Sequence, residues 1–130
     1  MIDHCGLSVS DFDAAKSFYD QALAPIGASL LFMVPSEQAN GIKTGGYGRE
    51  RPTFWLSEGK PQNPVLHIAF TAENRVQVND FYAAALAAGG TDNGAPGPRP
   101  HYHEHYYGAF VLDLDGNNIE AVCHIPEQAH

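Results

Sequence analysis

The sequence predicts an α+β fold made of two copies of one β-α-β-β-β module, and three observations carry that reading. The first is an internal repeat: residues 4–27 and 67–90 overlie at a constant offset of 63 with no gap. His4 then falls on His67, Phe18 and Tyr19 on Phe81 and Tyr82, and Gly27 on Gly90. A period near half the chain length marks a duplicated supersecondary unit. The second is that each copy opens on period-two alternation and passes into helical spacing. The third is size: 130 residues, 44% hydrophobic and 17% charged, can close one core without disulfides or structural metals. One domain over residues 1–130 is expected, with module one about 1–58, a link at 59–64 and module two about 65–125.

In chain order, residues 2–9 alternate Cys5, Leu7 and Val9 with His4, Gly6 and Ser8, as a half-buried strand does. Ser10, Asp11, Phe12 and Asp13 then match a helix start in which a hydroxyl caps the chain and a carboxylate stands in the first turn. The spacing of Phe12, Ala15, Phe18, Tyr19, Ala22 and Leu23 predicts a helix over 11–24, stopped by Pro25 and Gly27. Strands are expected at 29–34, 41–47 and 52–57, separated by turn-rich pieces. After the Pro-bearing link come a strand at 65–71 and a helix over 75–88. Residues 91–100, rich in Gly and Pro, read as a loop with room for a short strand, the weakest of module two. Strands at 106–114 and 118–124 follow, joined at Asp115 and Gly116, and a short polar tail follows Pro126.

Seven Lys and Arg against 15 Asp and Glu give a formal charge of −8. That balance argues against nucleic acid or an anionic membrane surface as partner. It leaves an anionic small molecule open, because a bound metal inverts the local field. The start lacks a basic and apolar leader pattern, and no apolar run approaches a membrane span, so the cytoplasm is the expected address. Cys5 and Cys123 are expected as buried free thiols.

The candidate chemistry begins with the repeated histidines. His4 and His67 each share a strand face with small residues, Gly6 and Ser8 in one copy and Ala69 and Thr71 in the other. Small neighbours leave room for a cavity beside the imidazole. Glu120 sits between apolar residues of the last strand, where a carboxylate is costly unless paired or metal-bound. No Lys or Arg is near it in sequence. Together His4, His67 and Glu120 make two neutral nitrogens and one carboxylate, a set that leaves open positions on a divalent Fe, Mn, Ni or Zn ion.

The runs Ile2 to Asp11, Ser17 to Tyr19 and Phe110 to Glu120 resemble the vicinal oxygen chelate superfamily: glyoxalase I, fosfomycin- and bleomycin-resistance proteins and extradiol dioxygenases. The resemblance implies the paired-module fold, cupped into a mostly antiparallel sheet. It also implies a metal held by His4, His67 and Glu120, with Glu120 a catalytic candidate as well. It favours a homodimer whose sites draw on both chains, acting on a small-molecule substrate by lyase, dioxygenase or transferase chemistry. Glyoxalase I enzymes generally add a carboxylate from the last strand of module one. Here that strand centres on Phe54, Trp55 and Leu56, and Glu58 stands at its very end. A lactoylglutathione lyase is therefore not expected. Bleomycin-type relatives keep the fold without a metal, so a sequestering protein is the alternative reading.

Residues 100–108 hold three alternating histidines, His101, His103 and His105, among Tyr102, Glu104, Tyr106 and Tyr107. If extended, the three would line one face and form a wall over the metal. His103, His105 and Tyr107 are the candidates for substrate binding or acid-base help; the alternative is an exposed His-rich turn. Trp55 is expected in the core.

Overall fold

The structure, a computed structural model, describes residues 1–126; the polar tail expected after Pro126 lies outside the described residues. Module one runs β1 (Cys5–Val9), α1 (Phe12–Leu23), a 3-10 turn Ala24–Ile26, β2 (Ser29–Met33), β3 (Thr44–Gly48) and β4 (Phe54–Glu58). Module two runs β5 (His67–Thr71), α2 (Arg75–Ala87), β6 (Thr91–Pro98), β7 (Tyr107–Leu112) and β8 (Asn118–Cys123). The helices start at the repeat offset, Phe12 against Arg75.

The modules form two four-stranded sheets, ordered β1-β4-β3-β2 and β5-β8-β7-β6. In each the first strand pairs parallel with the last, and the other two pairings are antiparallel. The two orders are the same, as duplication requires. Each first strand has a single hydrogen-bonded neighbour, so β1 and β5 both lie at a sheet edge. Such edges offer a row of backbone donors and acceptors to another chain.

The core lies where both helices cover their sheets. Leu7, Val9, Phe54 and Leu56 of one module join Ala109, Val111, Ile119 and Ala121 of the other in one buried cluster with Phe12, Phe18, Tyr19, Val78 and Phe81. Helix α2 packs on α1 and on the 3-10 turn, and Phe54 meets the Phe70 ring edge-on across the module boundary at 5.1 Å. Because successive strand residues alternate faces, Gly6, Ser8, Trp55, His67, Ala69, Phe110 and Glu120 fall on the opposite, helix-free faces.

Four expectations are corrected. Asp11, not Ser10, caps α1, its carboxylate accepting from the Ala14 amide at 3.1 Å. The Ser10 hydroxyl is taken by Asp115 of the other module at 2.5 Å. Residues 91–98 form an eight-residue strand where a loop with room for a short strand was expected. Its pairing with β7 slips twice, and Gly94, at φ +150°, takes a backbone conformation that a side chain would strain. Pro96 and Pro98 are tolerated because β6 is an edge strand. Trp55 is half-buried and points away from the core, its ring edge-on to Phe32 at 6.3 Å. Finally, β1 begins at Cys5, so His4 stands just before the strand instead of within it. Both cysteines are free, Cys123 buried and Cys5 half-buried.

Candidate functional site

Glu120 is the buried carboxylate of module two, with 1% of its surface exposed. Strand register places it there. On β8 it stands opposite Ala69 of β5 and opposite Phe110 of β7, all on the helix-free face. His67, two residues before Ala69 on the same face, reaches back so that its Nε2 lies 2.7 Å from Glu120 Oε1. The other carboxylate oxygen, Oε2, accepts from the Tyr106 hydroxyl. Burial first, and then this bond to a carboxylate, push the Tyr106 hydroxyl above its ordinary range, so it stays protonated and donates.

Gly108 makes this approach possible. A Cβ there would stand 3.1 Å from Tyr106 Cε1 and 3.2 Å from Glu120 Oε2. Phe110 closes the other side, its ring 6.3 Å from that of His67, and the Arg99 guanidinium lies 5.5 Å above Phe110.

The structure brings together His67 and Glu120 and leaves His4 apart. The His4 side chain is 60% exposed and holds Asp3 at 2.7 Å, while Arg51 takes the other Asp3 oxygen at 3.1 Å. These two partners keep the Asp3 carboxyl below its usual range. His4 and His67 nevertheless line one cleft of about 930 Å³ between the modules, together with Cys5, Arg49, Arg51 and Phe70. Among the described residues, no group of three or more His, Cys, Asp or Glu side chains is placed to hold a metal ion.

The donor chemistry of the His67–Glu120 pair does suit a divalent cation. An imidazole nitrogen and a carboxylate oxygen, here 2.7 Å apart, are both donor types that would hold such an ion.

The His-rich stretch is not extended. It makes two turns between β6 and β7, closed by the Arg99 amide on the Tyr106 carbonyl and the Tyr106 amide on the His103 carbonyl. The three histidines therefore form no extended wall, although the His103 and His105 rings stand 6.4 Å apart. The His103 ring packs on His124 at 5.4 Å, and His124 on Tyr106 at 5.0 Å, so His103 approaches the carboxylate through two rings. The His105 ring stands beside Glu104, 3.8 Å from its carboxylate. Tyr107 faces the helix: its hydroxyl donates to Asn79 of α2 at 2.7 Å and its ring underlies Arg75. The tyrosine that touches Glu120 is Tyr106. The sequence reading missed it by one residue, because its neighbour in β7 turns to the opposite face.

Register also shows what module one offers at the place of Glu120. Gly6 and Ala69 each follow a repeated histidine by two residues, and their partners on the last strands are Trp55 and Glu120. Trp55 therefore holds in module one the place that Glu120 holds in module two. Glu58 is occupied elsewhere, accepting from the Phe12 amide at 3.0 Å.

A sequence profile described as the Glyoxalase/Bleomycin resistance protein/Dioxygenase superfamily matches residues 1–121. Among curated proteins none matches. A glyoxalase/bleomycin resistance protein from Albidiferax ferrireducens is similar at 29% identity and a TM-score of 0.70, over 93% of this chain and 97% of that one. A fosfomycin resistance protein, FosX, from Listeria monocytogenes, solved as a variant with Mn(II) and 1S,2S-dihydroxypropylphosphonic acid, is 18% identical with a TM-score of 0.66. That match spans 93% of this chain and 87% of FosX. A glyoxalase I variant from Zea mays is 18% identical at 0.69, with 97% of this chain covering 45% of that longer one. The last two likenesses speak to the fold.

Proposed function

We propose that this chain, which belongs to the glyoxalase/bleomycin resistance protein/dioxygenase superfamily, is a metal-dependent enzyme that takes a small organic substrate through two adjacent oxygens. The observation that carries the reading is Glu120: a carboxylate 1% exposed whose partners among the described residues are His67 and Tyr106. A buried carboxylate set against an imidazole, with its remaining oxygen fixed, is half of a cation site.

The missing ligand is His4 of a second copy. Exposure of His4 and the edge position of β1 and β5 support pairing of β1 of one copy beside β5 of the other. When bound, a divalent Fe, Mn, Ni or Zn ion supplies Lewis acidity to a substrate that develops negative charge. The chain's own residues do the rest. His67 and Glu120 hold and orient, while Phe110 and Trp55 stand on the two helix-free faces.

Metal content of untagged protein, prepared without chelator, tests the reading. It predicts one ion per chain, and none in a folded His4→Ala, His67→Ala double variant; full stoichiometry in that variant would sink it. Turnover of a panel of α-oxoacids, catechols and thiol adducts then assigns lyase, dioxygenase or transferase chemistry. With Trp55 where a fourth ligand would stand, glutathione-hemithioacetal isomerisation should not exceed the uncatalysed rate. The second reading, a protein that sequesters a small molecule without turnover, draws on the half-exposed Trp55–Phe32 aromatic pair. It predicts ligand binding that is indifferent to metal.

A further inference from the structure

We infer that Tyr106 is a positioning residue that makes Glu120 a one-oxygen ligand, engaging Oε2 so that Oε1 alone faces the cation; this rests on the metal reading above. A carboxylate can bind through either or both oxygens. Here the two are already distinguished. Oε1 lies 2.7 Å from His67 Nε2, and Oε2 carries the Tyr106 hydrogen bond.

Tyr106 is itself held on several sides. Its carbonyl accepts from the Arg99 amide at 2.7 Å, its amide donates to the His103 carbonyl at 3.1 Å, and its ring meets those of Tyr102 and His124 at 5.1 and 5.0 Å. Beneath it, the bare Cα of Gly108 leaves room that a Cβ would crowd, 3.1 Å from the Tyr106 ring and 3.2 Å from Glu120 Oε2. The hydroxyl is thus fixed before any ligand arrives.

The consequence concerns how many positions a substrate finds. Two imidazole nitrogens and one carboxylate oxygen fill three positions of an octahedral cation. Three remain, enough for a substrate that binds through two adjacent oxygens. A carboxylate engaging both oxygens would remove one of them.

The test is Mn²⁺ affinity, followed by the free-ion electron paramagnetic resonance signal, with the visible absorption of Co²⁺-loaded protein as a second readout. Tyr106→Phe keeps the ring and removes the hydroxyl, whereas Gly108→Ala keeps the hydroxyl and crowds the contact. Both should weaken Mn²⁺ binding about tenfold or more, the usual effect of losing an outer-shell partner. Both should also change the Co²⁺ spectrum as the carboxylate's binding mode changes. In a Glu120→Gln background, Tyr106→Phe should add less than about a twofold loss, because a positioning residue has no effect without the group it positions. Wild-type protein that binds Mn²⁺ while Tyr106→Phe stays within about threefold, with an unchanged Co²⁺ spectrum, would overturn this inference alone. Wild-type protein that takes up no Mn²⁺ would overturn the metal reading and this inference with it.

Discussion

At the residue scale, Glu120 is held by neighbours that carry no fixed positive charge. Removing a carboxylate from water costs several kcal/mol unless something offsets it, and here the offset comes from one imidazole and one phenol. Glu120→Gln keeps the shape and removes the charge. Apparent metal affinity should then fall at least about 100-fold, while the melting temperature moves by only a few degrees. Equilibrium dialysis beside a thermal melt separates the two, and an equal loss in both would mark Glu120 as merely structural. Metal binding should also weaken in acid, because protons compete for the imidazole nitrogens. Much of this pair was legible in the sequence: an acidic residue inside an apolar strand and a histidine repeated at a fixed offset are both anomalies of pattern. Tyr106 was not legible. Consecutive residues of a strand face opposite ways, and the turn before β7 decides which of two adjacent tyrosines points inward.

At the scale of elements, the turn between β7 and β8 does more than reverse the chain. Asp113, 7% exposed, accepts from the Asp115 and Asn117 amides, from the Asn117 side chain, and from the Tyr19 hydroxyl of α1 at 2.6 Å. With the Ser10–Asp115 bond, this ties the first helix of module one to the last hairpin of module two, the hairpin that carries Glu120. Tyr19→Phe should cost about 1.5 kcal/mol, since Asp113 keeps its other donors, whereas Asp113→Ala strands several buried polar groups and should cost about 3 kcal/mol or more. Urea unfolding of both variants checks the order; a larger loss for Tyr19→Phe would contradict it. The sequence marked the turn by its Asp and Gly but gave no sign that Asp113 reaches the other module, because a hydrogen bond across 94 residues leaves no periodicity. Strand β6 was hidden for a related reason. Its Gly and Pro content reads as loop, and only an edge position with bulges accommodates it.

At the scale of the whole molecule, duplication gives two sheets of one order, and the fold was legible because the repeat was. How the sheets relate was not, since the same modules can complete a site within a chain or between chains. Four tyrosines, Tyr19, Tyr47, Tyr82 and Tyr106, have hydroxyls pushed upward, in each case by burial first and then by a neighbouring carboxylate. A proton held more tightly in the folded than in the unfolded chain stabilises the fold below the unfolded value, here 10.0. That contribution is lost as pH rises above it. The urea midpoint should therefore fall steadily above about pH 10, and Tyr19→Phe should flatten that fall.

Whether His4 of one copy completes the His67–Glu120 pair of another is decided by complementation. His4→Ala and Glu120→Gln chains are co-expressed, the mixed dimer is isolated, and its metal is counted after loading with Mn²⁺. Each variant alone, its affinity reduced at least about 100-fold, should hold far less than one ion per dimer under this loading. The mixed dimer should bind one ion, because a single site then receives His4 from the Glu120→Gln chain and His67 with Glu120 from the His4→Ala chain. A mixed dimer as empty as its parents, or a chain that stays monomeric while binding a full equivalent of metal, would contradict it.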